Sequence, residues 1–186
     1  MASASRNAMK QRLLFSLFFF VALALPDGNG ARAQDSTEKG QMNRARALRT
    51  LKGCATRPIT LGCSEDTAGY LIGLYDPGDY ALLKPLLDAG LSSDGALAEI
   101  LGDFYSDVLW KHPRTFLESL RSRPITQQHR LSWMAGTTDG SGMPADMLRD
   151  VRRTLRGISS QHGRLSSVAR ICLTEVARAN ASAKRL

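Results

Sequence analysis

Asp94-Gly-Ala-Leu-Ala-Glu-Ile-Leu-Gly-Asp-Phe-Tyr-Ser-Asp-Val-Leu-Trp-Lys111 is the stretch on which the fold class turns. Its apolar residues Leu97, Ile100, Leu101, Phe104, Val108 and Leu109 recur at steps of one, three and four. That spacing gathers side chains on one face of an α-helix and is incompatible with a strand, whose faces alternate every residue. Ser92 or Ser93 is placed to cap the first free amides. His112-Pro113 ends the helix, and Pro113 can open the next, because a proline lacks only an N–H that the first turn leaves unpaired.

The same pattern continues outward in both directions. Downstream, Phe116, Leu117 and Leu120 mark a helix that stops at Arg123-Pro124, and Ile125 to Ala135 reads as a weaker one with Leu131, Trp133 and Met134. Gly136 to Gly142 reads as a flexible loop. Pro144 to Ser159 returns to helical spacing through Met147, Leu148, Val151, Leu155 and Ile158, and a last helix carries Val168, Ile171, Cys172, Leu173 and Val176. Upstream, Met42, Ala45, Leu48 and Leu51 define a basic helix expected to end at Gly53. Ser64 with Glu65 and Asp66 marks a helix start. Asp79 to Ala89 is apolar on one face but contains Pro85, which should kink or restart it, with Gly90 as its C-terminal cap. Two-residue alternation rich in β-branched or aromatic residues is missing throughout. The fold class is therefore all-α: one domain of about eight short helices, as an irregular bundle or a short α-solenoid-like array.

The N-terminus has the three-part layout of an export signal. Arg6, Lys10 and Arg12 precede an apolar run from Leu13 to Leu25, and Ala31-Arg32-Ala33 offers a small-x-small cleavage site. The run is shorter than the roughly 20 residues needed to span a bilayer. The expected organisation is a cleaved signal over 1–33, a flexible N-terminus over 34–40, an all-helical domain over 41–180 and a frayed basic tail over 181–186. The expected location is periplasmic or extracellular, with no transmembrane segment in the mature chain.

In such a compartment cysteines can be oxidised. Cys54 and Cys63, separated by a short segment, are the expected disulfide, and Cys172 reads as a small buried apolar residue. The formal charge is +8, of which Arg6, Lys10, Arg12 and Arg32 against Asp27 supply +3, leaving +5. That remainder is uneven: residues 64–118 hold ten acids against three bases, and residues 119–186 hold twelve bases against four acids. A basic end of this kind meets either an acidic face within the fold or an anionic partner.

Chemistry-bearing constellations are sparse. His112, His129 and His162 stand far apart, without a second ligand at metal-binding spacing. Ser141 sits between two glycines but follows no strand, as a nucleophile elbow would. Glu99, Asp103 and Asp107 fall at i, i+4 and i+8 and form an acidic ridge on the Asp94–Lys111 helix. Facing-helix ligands for a di-metal centre do not accompany it, so neither a metal nor a cofactor is expected. Arg149, Arg152, Arg153 and Arg156 lie along one helical face opposite Leu148, Val151 and Leu155. Guanidinium groups in such a row suit carboxylates or phosphates. The leading expectation is an exported, non-enzymatic helical binding module whose partner is a protein with an acidic surface. Nucleic acid is disfavoured, for want of interleaved aromatics. The alternatives are a carboxylate hydrolase using Asp103 or Asp107, and binding of anionic lipid or envelope polymer through the arginine face.

Overall fold

The structure is a computed structural model that describes residues 42–56, 65–75, 78–138 and 141–183. Among the described residues there are eight α-helices and no strand. They are α1 (Arg44–Thr56), α2 (Glu65–Tyr75), α3 (Leu83–Gly90), α4 (Gly95–Lys111), α5 (Pro113–Arg121), α6 (Ile125–Met134), α7 (Ala145–Ser160) and α8 (Ser166–Ala183), with a 3-10 turn at Tyr80–Leu82 before α3.

The quoted stretch becomes the axis of a bundle. Helix α4 packs against α2, α3, α5, α6 and α7, so the arrangement is a bundle and not a solenoid, in which each unit touches only its neighbours. Leu101, Phe104, Tyr105, Val108 and Leu109 of α4 are all buried within one continuous apolar core that extends from Ala47 to Val176. Helices α1, α2 and α3 cover one side of it. On the other side α8 is the platform for α6 and α7.

Local chemistry explains most boundaries, and a few differ from expectation. Pro85 falls in the first turn of α3, where its missing N–H costs no hydrogen bond, so the helix restarts at Leu83 and is not kinked. Pro113 opens α5 as expected. The N-cap of α4 is Asp94, with extended φ −140°, while Ser92 and Ser93 turn their hydroxyls back to the Ala89 and Gly90 carbonyls. Helix α1 runs through Gly53 to Thr56. Gly90 is the last residue of α3, not a cap beyond it. A Cβ there would run into the hydroxyl of Tyr105, which donates to the Leu86 carbonyl at 2.6 Å. Close approach of α4 to α3, and not backbone conformation, asks for glycine at that position.

Two arginines clamp this half of the bundle. Arg123 reaches Asp88 at 2.7 Å and the carbonyls of Ser119 and Lys84. Arg130 donates to the Gly90 and Ser93 carbonyls, satisfying acceptors that the end of α3 leaves open. Among the described residues no helix is long and apolar enough to cross a membrane. Ser64, Cys63 and the side chain of Cys54 lie outside the described residues, and with them the expected cap of α2 and the Cys54–Cys63 pairing.

Candidate functional site: an arginine-lined groove on α7

The rotation of α7 is set by what it buries. Val151, Leu155 and Ile158 face the core against α8, α4 and α5. At 3.6 residues per turn, Arg149, Arg152 and Arg156 then emerge in a row on one side. Arg153 leaves that row and lies 3.6 Å from Asp150 of its own helix. The other three line an open groove of about 430 Å³ with Met143, Ala145, Leu148 and Asn180.

The opposite wall is organised by Asn180, near the end of α8. Its side chain is buried, and both of its N–H donors and its oxygen are hydrogen-bonded. Nδ2 donates to the Gly136 carbonyl at 2.9 Å and to the Val176 carbonyl at 2.8 Å, and Oδ1 accepts from the Met143 N–H at 2.8 Å. Asn180 thus ties the segment that enters α7 to α8. Gly142 takes φ +85° in that segment, a left-handed conformation that L side chains avoid, and a Cβ there would press on Asn180 Oδ1. Thr138 Oγ1 donates to the Gly142 carbonyl at 2.6 Å and closes the loop. One expectation changes here. The described part of the loop around 136–142 is pinned to α8 through Asn180.

The groove is electrostatically one-sided. Among the described residues no carboxylate lines it. Among the described residues, Arg149, Arg152 and Arg156 make no ion pair and no hydrogen bond, although Lys111, Arg121, Arg123 and Arg178 all do. Arg149 and Arg156 are exposed, so water solvates them. Arg152 is half-buried, and its Nε is closed off from solvent without a hydrogen-bond partner. A buried donor left unmade costs about 1–3 kcal/mol. Asn180, its polar neighbour in the groove wall, directs its Oδ1 to the Met143 N–H instead.

No member of the acidic ridge on α4 lines this groove. Asp107 pairs with Lys111 one turn along α4 at 2.8 Å, and Glu99 is exposed. Asp107 and Lys111 border a second pocket of about 260 Å³ with Tyr75, Tyr80, Phe104, Val108 and His112. Its aromatic rings pack edge to face, Tyr75 against Tyr80 at 5.4 Å and against Phe104 at 5.0 Å. Among the described residues Asp107 is the one carboxylate in that lining, and Asp103 does not contribute to it. Among the described residues no three His, Cys, Asp or Glu side chains gather as a metal-ligand set.

A polar seam the sequence reading missed joins α6 to α8. The buried carboxylate of Glu175 sits 2.8 Å from His129 Nδ1 and 2.5 Å from Arg178. Cys172, one turn away, is a free thiol with no exposed surface. Burial pushes it up to about 12; the Ser132 hydroxyl offsets this in part, and the Glu175 charge adds to it. Such a thiol stays protonated and is a poor nucleophile at neutral pH. Elsewhere, Arg44 holds the Asp79 carboxyl below its usual range by a direct hydrogen bond, joining α1 to the 3-10 turn.

The arginine row was legible from its spacing. Asn180, Met143 and Gly142 were not, because Asn180 finds its loop partners 37 and 44 residues away. Set against protein-family models, curated proteins and solved structures, the chain matches none of them.

Proposed function

We propose that the protein is an exported, non-enzymatic helical binding module that takes an anionic partner on its α7 face. The observation that carries this reading is the groove in which Arg149, Arg152 and Arg156 converge with no acid lining it and none paired to them among the described residues. Guanidinium groups that stabilise a fold are normally engaged with carboxylates or carbonyls, as Arg123 and Arg130 are here. A row left without such partners, one member of it partly desolvated, is suited to a ligand that brings the negative charge. Export is supported by the basic, apolar and small-residue layout of residues 1–33.

Retention on immobilised polyglutamate tests the reading. The wild-type protein is expected to bind at low salt and to elute as salt screens the contact. The double variant Arg149→Glu plus Arg156→Glu changes two exposed positions and should lose at least about tenfold in apparent affinity with its helical circular dichroism intact. Equal retention of a folded double variant would remove the proposal. Protein for this experiment is taken from the extracytoplasmic fraction of its producing cells, where its first residue should be Gln34; a cytosolic chain that begins at Met1 would remove the export half.

A further inference from the structure

We infer that the occupant of the α7 groove is an acidic peptide segment carrying an apolar residue beside its carboxylate, and that Arg152 is the residue that orients it. The inference rests on the anion-binding reading above and adds the chemistry of the ligand. Three features of the groove define that chemistry.

The first is the mixed lining. Met143 and Leu148 stand beside the arginines, so the ligand meets apolar surface within the same groove as the charge. A purely polyanionic polymer would leave that surface unmatched, whereas a carboxylate side chain next to an apolar one fits both. The second is Arg152. Its Nε is desolvated and unpartnered. With Nε sealed, the terminal nitrogens of the guanidinium are what the groove offers, and a carboxylate complements them because its two oxygens can take two terminal N–H groups side by side in one plane. The lysine ammonium lacks this fork. Arg149 and Arg156, one turn to either side, extend the positive charge along the ligand.

The third is shape and surroundings, which separate a peptide from the other anions. The site is concave, bounded by the α7 row on one side and by Met143 and Asn180 on the other. A bilayer surface is met by a face bearing large apolar anchors. The large apolar side chains that are exposed here, Tyr80, Trp110, Ile125 and Trp133, all lie outside α7 and outside the groove. Among the described residues no aromatic ring lines the groove on which a nucleobase could stack.

Fluorescence anisotropy on the full chain distinguishes these ligands. The probe is a labelled peptide in which Glu and Leu alternate, compared with one in which Ser replaces Leu. The alternating peptide should bind at least about fivefold tighter, the contribution of one apolar contact. Arg152→Lys keeps the charge and removes the planar fork. It should weaken the alternating peptide about tenfold while leaving most of the salt-dependent retention on polyglutamate. Equal affinity for the two peptides, or unchanged binding by Arg152→Lys, overturns the inference. Vesicles of anionic phospholipid that displace the peptide would assign the groove to a membrane surface and overturn it as well. If polyglutamate retention still depends on Arg149 and Arg156 when the peptide preference fails, only this inference falls. If that dependence is also missing, the reading beneath it falls too.

Discussion

Arg123 and Arg130, around the end of α3, and Arg149, Arg152 and Arg156, along α7, are the same residue type in two opposite conditions. The first pair is consumed by the fold. Arg123, with its side chain only 9% exposed, binds Asp88 and two carbonyls, and Arg130 binds the carbonyls that close α3. The second group touches no acid among the described residues, and one of its nitrogens is buried without a partner. Removing a member of the first group uncovers acceptors inside the structure. Removing a member of the second uncovers nothing, and can relieve a desolvated donor. Positive charge therefore has no single meaning in this molecule: its role depends on whether an acceptor lies within reach.

The contrast can be broken most directly at Arg123. Arg123→Met should lower stability by about 2 kcal/mol, since it strips charge-assisted bonds from two carbonyls and from a half-exposed carboxylate. The urea midpoint should fall, while the affinity of the folded protein for polyglutamate stays unchanged. A loss of affinity without a loss of stability would mean that the two arginine groups are not separable.

Alkaline pH tests the same division without a mutation. The folded Cys172 thiol is held up to about 12, against 9.0 for an ordinary thiol. Above 9 the unfolded chain releases this proton and the folded chain does not, so the unfolded state is favoured as pH rises. The contribution is complete below about 9 and is lost progressively toward 12, at up to about 1.4 kcal/mol per pH unit. Tyr105, whose hydroxyl is also pushed up by burial, acts in the same direction. Arginines remain charged over that window. Denaturation midpoints should therefore decline from pH 9 to 10.5 while the salt-dependent retention of still-folded protein persists. A flat midpoint would show that Cys172 is not sealed as the structure places it.

The smallest expected effect on stability is the most informative. Arg152→Met should leave the urea midpoint within about 1 kcal/mol of wild type, or raise it, because an apolar chain ending level with Nε replaces the buried unpaired donor. Anion binding should fall in the same protein. A large destabilisation would place Arg152 with Arg123, among the arginines that hold the fold.

Much of the architecture is readable along the chain because its causes are local. The apolar steps of Leu97 to Leu109, the opening proline at Pro113 and the break at Pro124 act within one or two turns. The row Arg149, Arg152 and Arg156 follows from helical geometry once Val151 and Leu155 are taken as the buried side. Other residues mislead for a physical reason. Gly90 looks like a cap, but its requirement comes from Tyr105, fifteen positions on. Trp133 looks like core, yet it is 37% exposed, because the α6 face that meets α8 carries Leu131, Ser132 and Met134 instead. His129 looks like part of a polar surface and instead meets a buried carboxylate 46 residues away.

What local sequence determined about this protein is therefore its inventory: helices, their oily faces, and a line of guanidinium groups on α7. Packing alone decided which polar groups would find each other. Asn180, which no local pattern marks out, became the post to which the α7 entry is tied. Arg152 became a donor without an acceptor. The physical reason is that helix formation is governed by neighbours three and four residues apart, whereas pairing of a buried polar group depends on elements brought together from across the chain.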